Sequence, residues 1–131
     1  GMSFALIDKR RNAHNHSEVV SVVGELANKH VLIIDDMIDT AGTISNAAKV
    51  AKEKGALSVT VAATHGIFSS NALDKLSDDI VDSIFITDTI DVSHIDNCEK
   101  LKTISSSKIF AETINRIHSC ESVSQLFRKV T

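Results

Sequence analysis

The stretch VLIIDDMIDTAGT, Val31 to Thr43, carries three carboxylates within five residues, at Asp35, Asp36 and Asp39. Carboxylates this close repel one another and give up water reluctantly, so they call for a shared guest. Hydroxyls are natural donors to carboxylates, and a sugar diol offers two of them. A magnesium ion sharing the sugar would relieve the repulsion. The turn Asp39-Thr40-Ala41-Gly42-Thr43 then runs into a helix. The unpaired N–H groups of that helix, its dipole and two threonine hydroxyls make an anion cradle. Gly42 lets the backbone approach the guest closely. A phosphate monoester fits, so the local chemistry reads as that of a sugar phosphate. Asp39 adds negative charge beside that phosphate, and it suits helix capping or ordering of the loop amides as well as direct contact.

A second cluster is basic. Lys9, Arg10 and Arg11 lie in DKRRNAHNHS, residues 8–17, with His14 and His16 close behind. Taken bare, this is a solvated polar loop. His65 follows a strand end and reads as a turn brace, while His30, His94 and His118 show no ligand spacing. Cys98 and Cys120 are too far apart for a zinc or redox motif and read as reduced thiols.

These groups need elements to position them. Phe4–Ile7 reads as a short buried strand and EVVSVV as another, stopped by Gly24. Val31–Ile34 is an apolar run expected to be a strand buried on both faces. Ile44, Ala47, Ala48 and Ala51 fall on one face of a helix ending at Gly55, with Lys49, Lys52, Glu53 and Lys54 on the wet side. Further strands are expected at Ser58–Thr64 and Ser83–Thr87, a short helix at Asn71–Leu76, and a closing helix at Lys108–His118. The tail ESVSQLF reads as a terminal strand or helix anchored by Leu126 and Phe127. Strands alternating with helices predict an α/β fold with a mostly parallel sheet flanked by helices.

Composition narrows the partners. The 131 residues are 43% hydrophobic and 24% charged, with a formal net charge of −3. A soluble, cytoplasmic globular domain is expected. There is no global basic field for nucleic acid, and no apolar run approaches the ~20 residues of a membrane span.

The stretch Val31–Thr43 resembles the phosphoribosyl-diphosphate (PRPP) signature of the type I phosphoribosyltransferase fold. A response-regulator receiver also ends its first strand in an acidic pair, but it needs an aspartate on a later strand, where this sequence has ATHG. The segments IDKRR, EVVSVVG, ATHGIFS, AETINRIH and ESVSQLF extend the likeness to the carboxyl-terminal part of ribose-phosphate diphosphokinases, the PRPP synthetases. That resemblance implies transfer of diphosphate from ATP to ribose 5-phosphate, with magnesium, to make PRPP. It implies that Lys9 and Arg11 belong to a mobile catalytic loop. It further implies that Asp35 and Asp36 bind the ribose hydroxyls and that Asp39, Thr40, Ala41, Gly42 and Thr43 hold the 5-phosphate. Residues 1–131 are expected to form one partial phosphoribosyltransferase-like domain, truncated at its amino-terminal side. The family's amino-terminal domain is expected to be absent, so that the chain alone binds ribose 5-phosphate without turnover. A sheet edge or face left uncovered implies a homo-oligomer or association with a full-length synthetase. The tail resembles a segment near the family's inter-subunit regulatory site. The alternatives are a non-catalytic, synthetase-associated regulatory subunit, disfavoured because these residues are kept, and an ordinary phosphoribosyltransferase, disfavoured by the K-R-R loop.

Overall fold

The computed structural model describes residues 6–11, 18–95 and 98–127. Two strands, β1 (Leu6–Arg11) and β2 (Glu18–Val23), form an antiparallel pair with Lys9 opposite Val20 and Arg11 opposite Glu18. The remaining strands form a separate parallel sheet in the order β3-β4-β5-β6. These are β3 (His30–Ile38), β4 (Ser58–Gly66), β5 (Ser83–Thr87) and β6 (Leu101–Ile104). Three helices follow the pattern of the sequence: α1 (Gly42–Glu53), α2 (Ala72–Lys75) and α3 (Ser107–His118). A 3-10 segment, Val123–Phe127, closes the described chain.

The core lies on one face of the parallel sheet. Alternation along the strands turns Val59, Val61, Ile84 and Ile86 to that face, where all four are buried. Helix α1 meets them with Ile44, Ala47, Ala48 and Ala51, as its 3.6-residue periodicity requires. Small side chains let it sit close to the sheet. Its end is a complete Schellman cap: Gly55, at φ +83°, donates to the Lys52 carbonyl at 2.9 Å, and Ala56 donates to the Ala51 carbonyl at 3.0 Å. Asp82 ties this end to the sheet by accepting from Lys52 Nζ at 2.8 Å and from the Val59 N–H at 2.7 Å. Those two bonds hold its carboxyl below the usual range.

Three expectations need correction, and one strand is new. Strand β3 is longer than Val31–Ile34 and is not buried on both faces: Leu32 and Ile34 are 50% and 74% exposed. The reason is its position at the edge of the parallel sheet, with α1 packed on one face and, among the described residues, no helix packed on the other. The Asp8–Ser17 stretch is not a loop throughout, because Asp8–Arg11 belong to β1; Phe4, His14 and His16 lie outside the described residues. Strand β6 has no clear signal in the sequence, since LKTI is short and half polar. Phe127 does not anchor the tail, being 71% exposed.

Helix α3 forms as its periodicity predicts, but Phe110, Ile114 and Ile117 are all exposed. Its start is fixed by Asp88, just beyond β5. The Asp88 carboxylate accepts from the hydroxyls of Ser105 and Ser106 at 2.7 and 2.5 Å and from the Ser106 N–H at 2.7 Å. These bonds, the Ser106 hydroxyl first, lower its pKa from 3.8 to about 2. A carboxyl held below its unfolded value contributes stability fully above the unfolded value, and this is lost as pH falls through the folded one. Amide protection in the first turn of α3 is therefore expected to decline as pH drops from about 4 toward about 2. Hydrogen exchange in an Asp88→Asn variant should lack that acid-dependent step.

Candidate functional site

Parallel register sets the level of each strand end. Asp35 lies opposite Ala63, Ala63 opposite Ile86, and Ile86 opposite Thr103. The acidic pair therefore stands level with the carboxyl ends of β5 and β6, although β3 itself runs on to Ile38. This is the edge of an open α/β sheet where ligands collect. Both acids are exposed, and the Asp36 N–H donates to Asp35 Oδ1 at 2.9 Å. Both lie in a run of four exposed residues, Ile34 to Met37, that ends at the buried Ile38, so the alternation of the earlier part of β3 does not continue through the acidic pair.

The turn after β3 is held from behind. The Ile38 carbonyl accepts from the N–H groups of Ile67 and Phe68 at 2.9 and 3.0 Å. The Asp39 carbonyl accepts from Ser69 N–H at 3.0 Å, and the Thr40 carbonyl from Lys75 Nζ at 2.9 Å. The first bond into α1 is Ser45 N–H to the Ala41 carbonyl, at 2.9 Å. Amides 41–44 are thus the ones a helix leaves without an internal partner. No side chain caps them among the described residues, so Asp39 does not act as the N-cap. Ala41 holds that position instead, at φ +57° and ψ +7°. Phe68 and Ser70, in the adjoining loop, also adopt positive φ, at 53° and 56°. Non-glycine residues in this region cost about 1–3 kcal/mol each and gather at functional sites.

The two glycines here differ in kind. A Cβ on Gly66 would stand 2.6 Å from the Phe68 ring and 2.7 Å from Ile86 Cδ1. Packing demands that glycine. A Cβ on Gly42 would meet nothing within 4 Å, and its φ lies outside the left-handed range. Neither packing against the described residues nor backbone conformation calls for glycine at position 42.

Other predicted residues fall as follows. Lys9 and Arg11 stand on β1, in the separate hairpin. His65 Nδ1 is 2.8 Å from the Thr89 hydroxyl, a link from β4 to the segment after β5 that fits a brace. A hollow of about 480 Å³ elsewhere is lined by Asp88, Asp91, Ser93 and Cys98 among others, and no residue of the 35–43 stretch contributes to it. Sequence reasoning missed Lys75 and Ser69, which back the turn, because contacts across a fold leave no local spacing to read. Among the described residues no helix is long and apolar enough to cross a membrane.

A parallel α/β sheet with an amide-rich turn entering a helix at its carboxyl edge, beside an acidic pair, defines a phosphoribosyltransferase-type domain. The chain belongs to the family described as phosphoribosyl synthetase-associated domain, whose profile matches residues 10–128. It is similar to the ribose-phosphate pyrophosphokinase of Chlorobaculum tepidum, at 45% identity over 97% of this chain and 39% of that protein. The ribose-phosphate pyrophosphokinase of Coxiella burnetii is 47% identical over 94% of this chain and 39% of that protein. The crystal structure of phosphoribosylpyrophosphate synthetase from Mycobacterium smegmatis superposes with a TM-score of 0.76 at 32% identity, covering 88% of this chain and 36% of that one. The chain thus spans well under half the length of the relatives it matches.

The two glycines give a paired prediction. Gly66→Ala should lower unfolding stability by about 1–3 kcal/mol through overpacking. Gly42→Ala should leave it unchanged or raise it by up to about 1 kcal/mol. Urea denaturation of both variants checks this; a large loss from Gly42→Ala would mean that the fold itself requires that glycine.

Proposed function

We propose that this chain is the ribose 5-phosphate-binding part of a ribose-phosphate diphosphokinase, which transfers the β,γ-diphosphoryl group of ATP to ribose 5-phosphate to give PRPP. The observation that carries the reading is the empty space beside Gly42, at an uncapped helix start level with two exposed carboxylates. Family membership and the names of the relatives support it. The amides of the 39–43 turn bind the 5-phosphate, with the hydroxyls of Thr40 and Thr43 adding donors. Asp35 and Asp36 accept from the ribose hydroxyls. Holding the sugar at both ends orients its anomeric hydroxyl for in-line attack, which is most of what phosphoryl-group transfer asks of a protein.

The carboxylates also fit magnesium, which is held through one or two carboxylates, waters and substrate oxygens. When bound, the ion neutralises charge developing on the phosphoryl oxygens. Lys9 and Arg11 are assigned to the catalytic loop by resemblance: they bring positive charge to the triphosphate and exclude water. ATP is taken to need protein beyond these residues.

Three experiments test this. The purified chain is expected to bind ribose 5-phosphate weakly by calorimetry and to form no PRPP. In a full-length protein carrying this segment, Lys9→Ala should lower turnover far more than ribose 5-phosphate affinity, and Thr43→Ala should damage affinity first. Equal effects from both substitutions would break the division of labour.

The third concerns assembly. The uncovered sheet face presents Leu32, Ile34 and Ile104, and α3 presents Phe110, Ile114 and Ile117. Apolar surface of this kind favours burial against another copy of the chain. Light scattering is expected to give a mass above the 14.2 kDa monomer; a clean monomer across the micromolar range counts against self-association.

A further inference from the structure

We infer that Lys75 is a positioning residue for the phosphate cradle: by holding the Thr40 carbonyl it turns the Ala41 N–H toward the bound phosphate. The inference rests on the reading that the 39–43 turn holds a phosphate.

A trans peptide is planar, so the carbonyl of one residue and the N–H of the next point in opposite directions. Pinning three successive carbonyls to one side therefore turns three successive amides to the other. The Ile38 carbonyl is pinned by two backbone N–H groups and the Asp39 carbonyl by a third, from Ser69. Those bonds do not depend on side-chain identity. The Thr40 carbonyl has a different partner, the Lys75 ammonium at 2.9 Å. Among the three, the Thr40–Ala41 peptide is the one whose direction depends on a single side chain.

That peptide also has a reason to turn over. Flipping it reverses ψ of Thr40 and φ of Ala41 together. Ala41 sits at φ +57°, where its Cβ is crowded by the backbone. A flip would carry Ala41 out of the left-handed region and relieve that strain. It would also replace an N–H by a carbonyl oxygen facing the phosphate, an attractive dipole by a repulsive one. Lys75 opposes both changes. Its own position is secured from the core: its carbonyl accepts from the Ser45 hydroxyl at 2.8 Å, and Ser45, on α1, is 3% exposed. Ser45 also donates its N–H to the Ala41 carbonyl, so one buried residue braces both the loop and the lysine that pins it. A successive run of outward N–H groups around a left-handed residue is an anion-binding nest.

The test is a nitrogen-15 titration of the 131-residue chain with ribose 5-phosphate and, separately, inorganic phosphate. In the unsubstituted chain the amides of Ala41, Gly42 and Thr43 should all shift on addition of ligand. In Lys75→Met the Gly42 and Thr43 amides should still shift, the Ala41 amide should not, and affinity should fall about tenfold, the scale of one lost hydrogen bond. Lys75→Arg, which keeps a charged donor, should restore the Ala41 response. A thermal melt accompanies each variant. If Lys75→Met does not fold, Lys75→Gln, with a donor on a shorter arm, is read the same way. An Ala41 amide that still shifts at unchanged affinity overturns the inference, as does equal loss at all three amides with no rescue by arginine. An unsubstituted, folded chain whose 39–43 amides ignore both ligands overturns instead the sugar-phosphate reading on which it rests.

Discussion

The carbonyl of Ile38 is the joint on which the carboxyl edge of the sheet depends. It accepts from Ile67 and Phe68 together, so the last residue of β3 is tied to the first turn beyond β4. The parallel register, Ile38 opposite Gly66, delivers those two amides to that oxygen. Gly66 makes it possible, because the Phe68 ring and Ile86 fill the space that a side chain there would need. From this joint the chain divides. One branch becomes the turn from Asp39 to Thr43, and the other becomes the loop through Ser69 and Ser70 that backs it. The two are held to each other by backbone hydrogen bonds, which do not depend on the side chains of either branch.

Local chemistry was easy to read, and long-range chemistry was not. The Schellman end of α1 is written in Lys54-Gly55-Ala56, and the apolar stripe of α1 in Ile44, Ala48 and Ala51. The acidic pair and the D-T-A-G-T turn were legible as a candidate site because their residue types stand close together in the chain. What escaped was everything that depends on tertiary placement. The run Val31–Ile34 looks like a strand covered on both sides, but apolar content alone cannot tell a covered face from a bare one. Leu32 and Ile34 are as hydrophobic as Val31 and Ile33 and far more exposed than a core would allow. Strand β6 was hidden because a four-residue strand at an edge can carry Lys102, whose ammonium rests 5.4 Å above the Phe85 ring. Lys75 was invisible because its partner, the Thr40 carbonyl, is 35 residues away in the chain.

The sheet is lopsided. Its α1 face is a dense core, and its other face holds apolar residues open to solvent, with β3 forming one edge of the parallel sheet. Parallel sheets are normally covered on both faces. The acidic pair lies on β3, the edge strand that packs against α1 and also carries the exposed Leu32 and Ile34, so the two environments meet on a single strand.

The three left-handed residues that frame the turn, Ala41, Phe68 and Ser70, also govern how this segment can drift in sequence. A β-branched residue at any of them would crowd its own backbone, whatever space surrounds it. Glycine would be comfortable there, but it would loosen loops whose fixed shape presents the amides. Mutational paths through this corner are therefore narrow for two opposed reasons, one steric and one entropic. Change should accumulate on the solvent side of α1 far sooner than in these few loop positions, two of which, Ala41 and Phe68, are also buried.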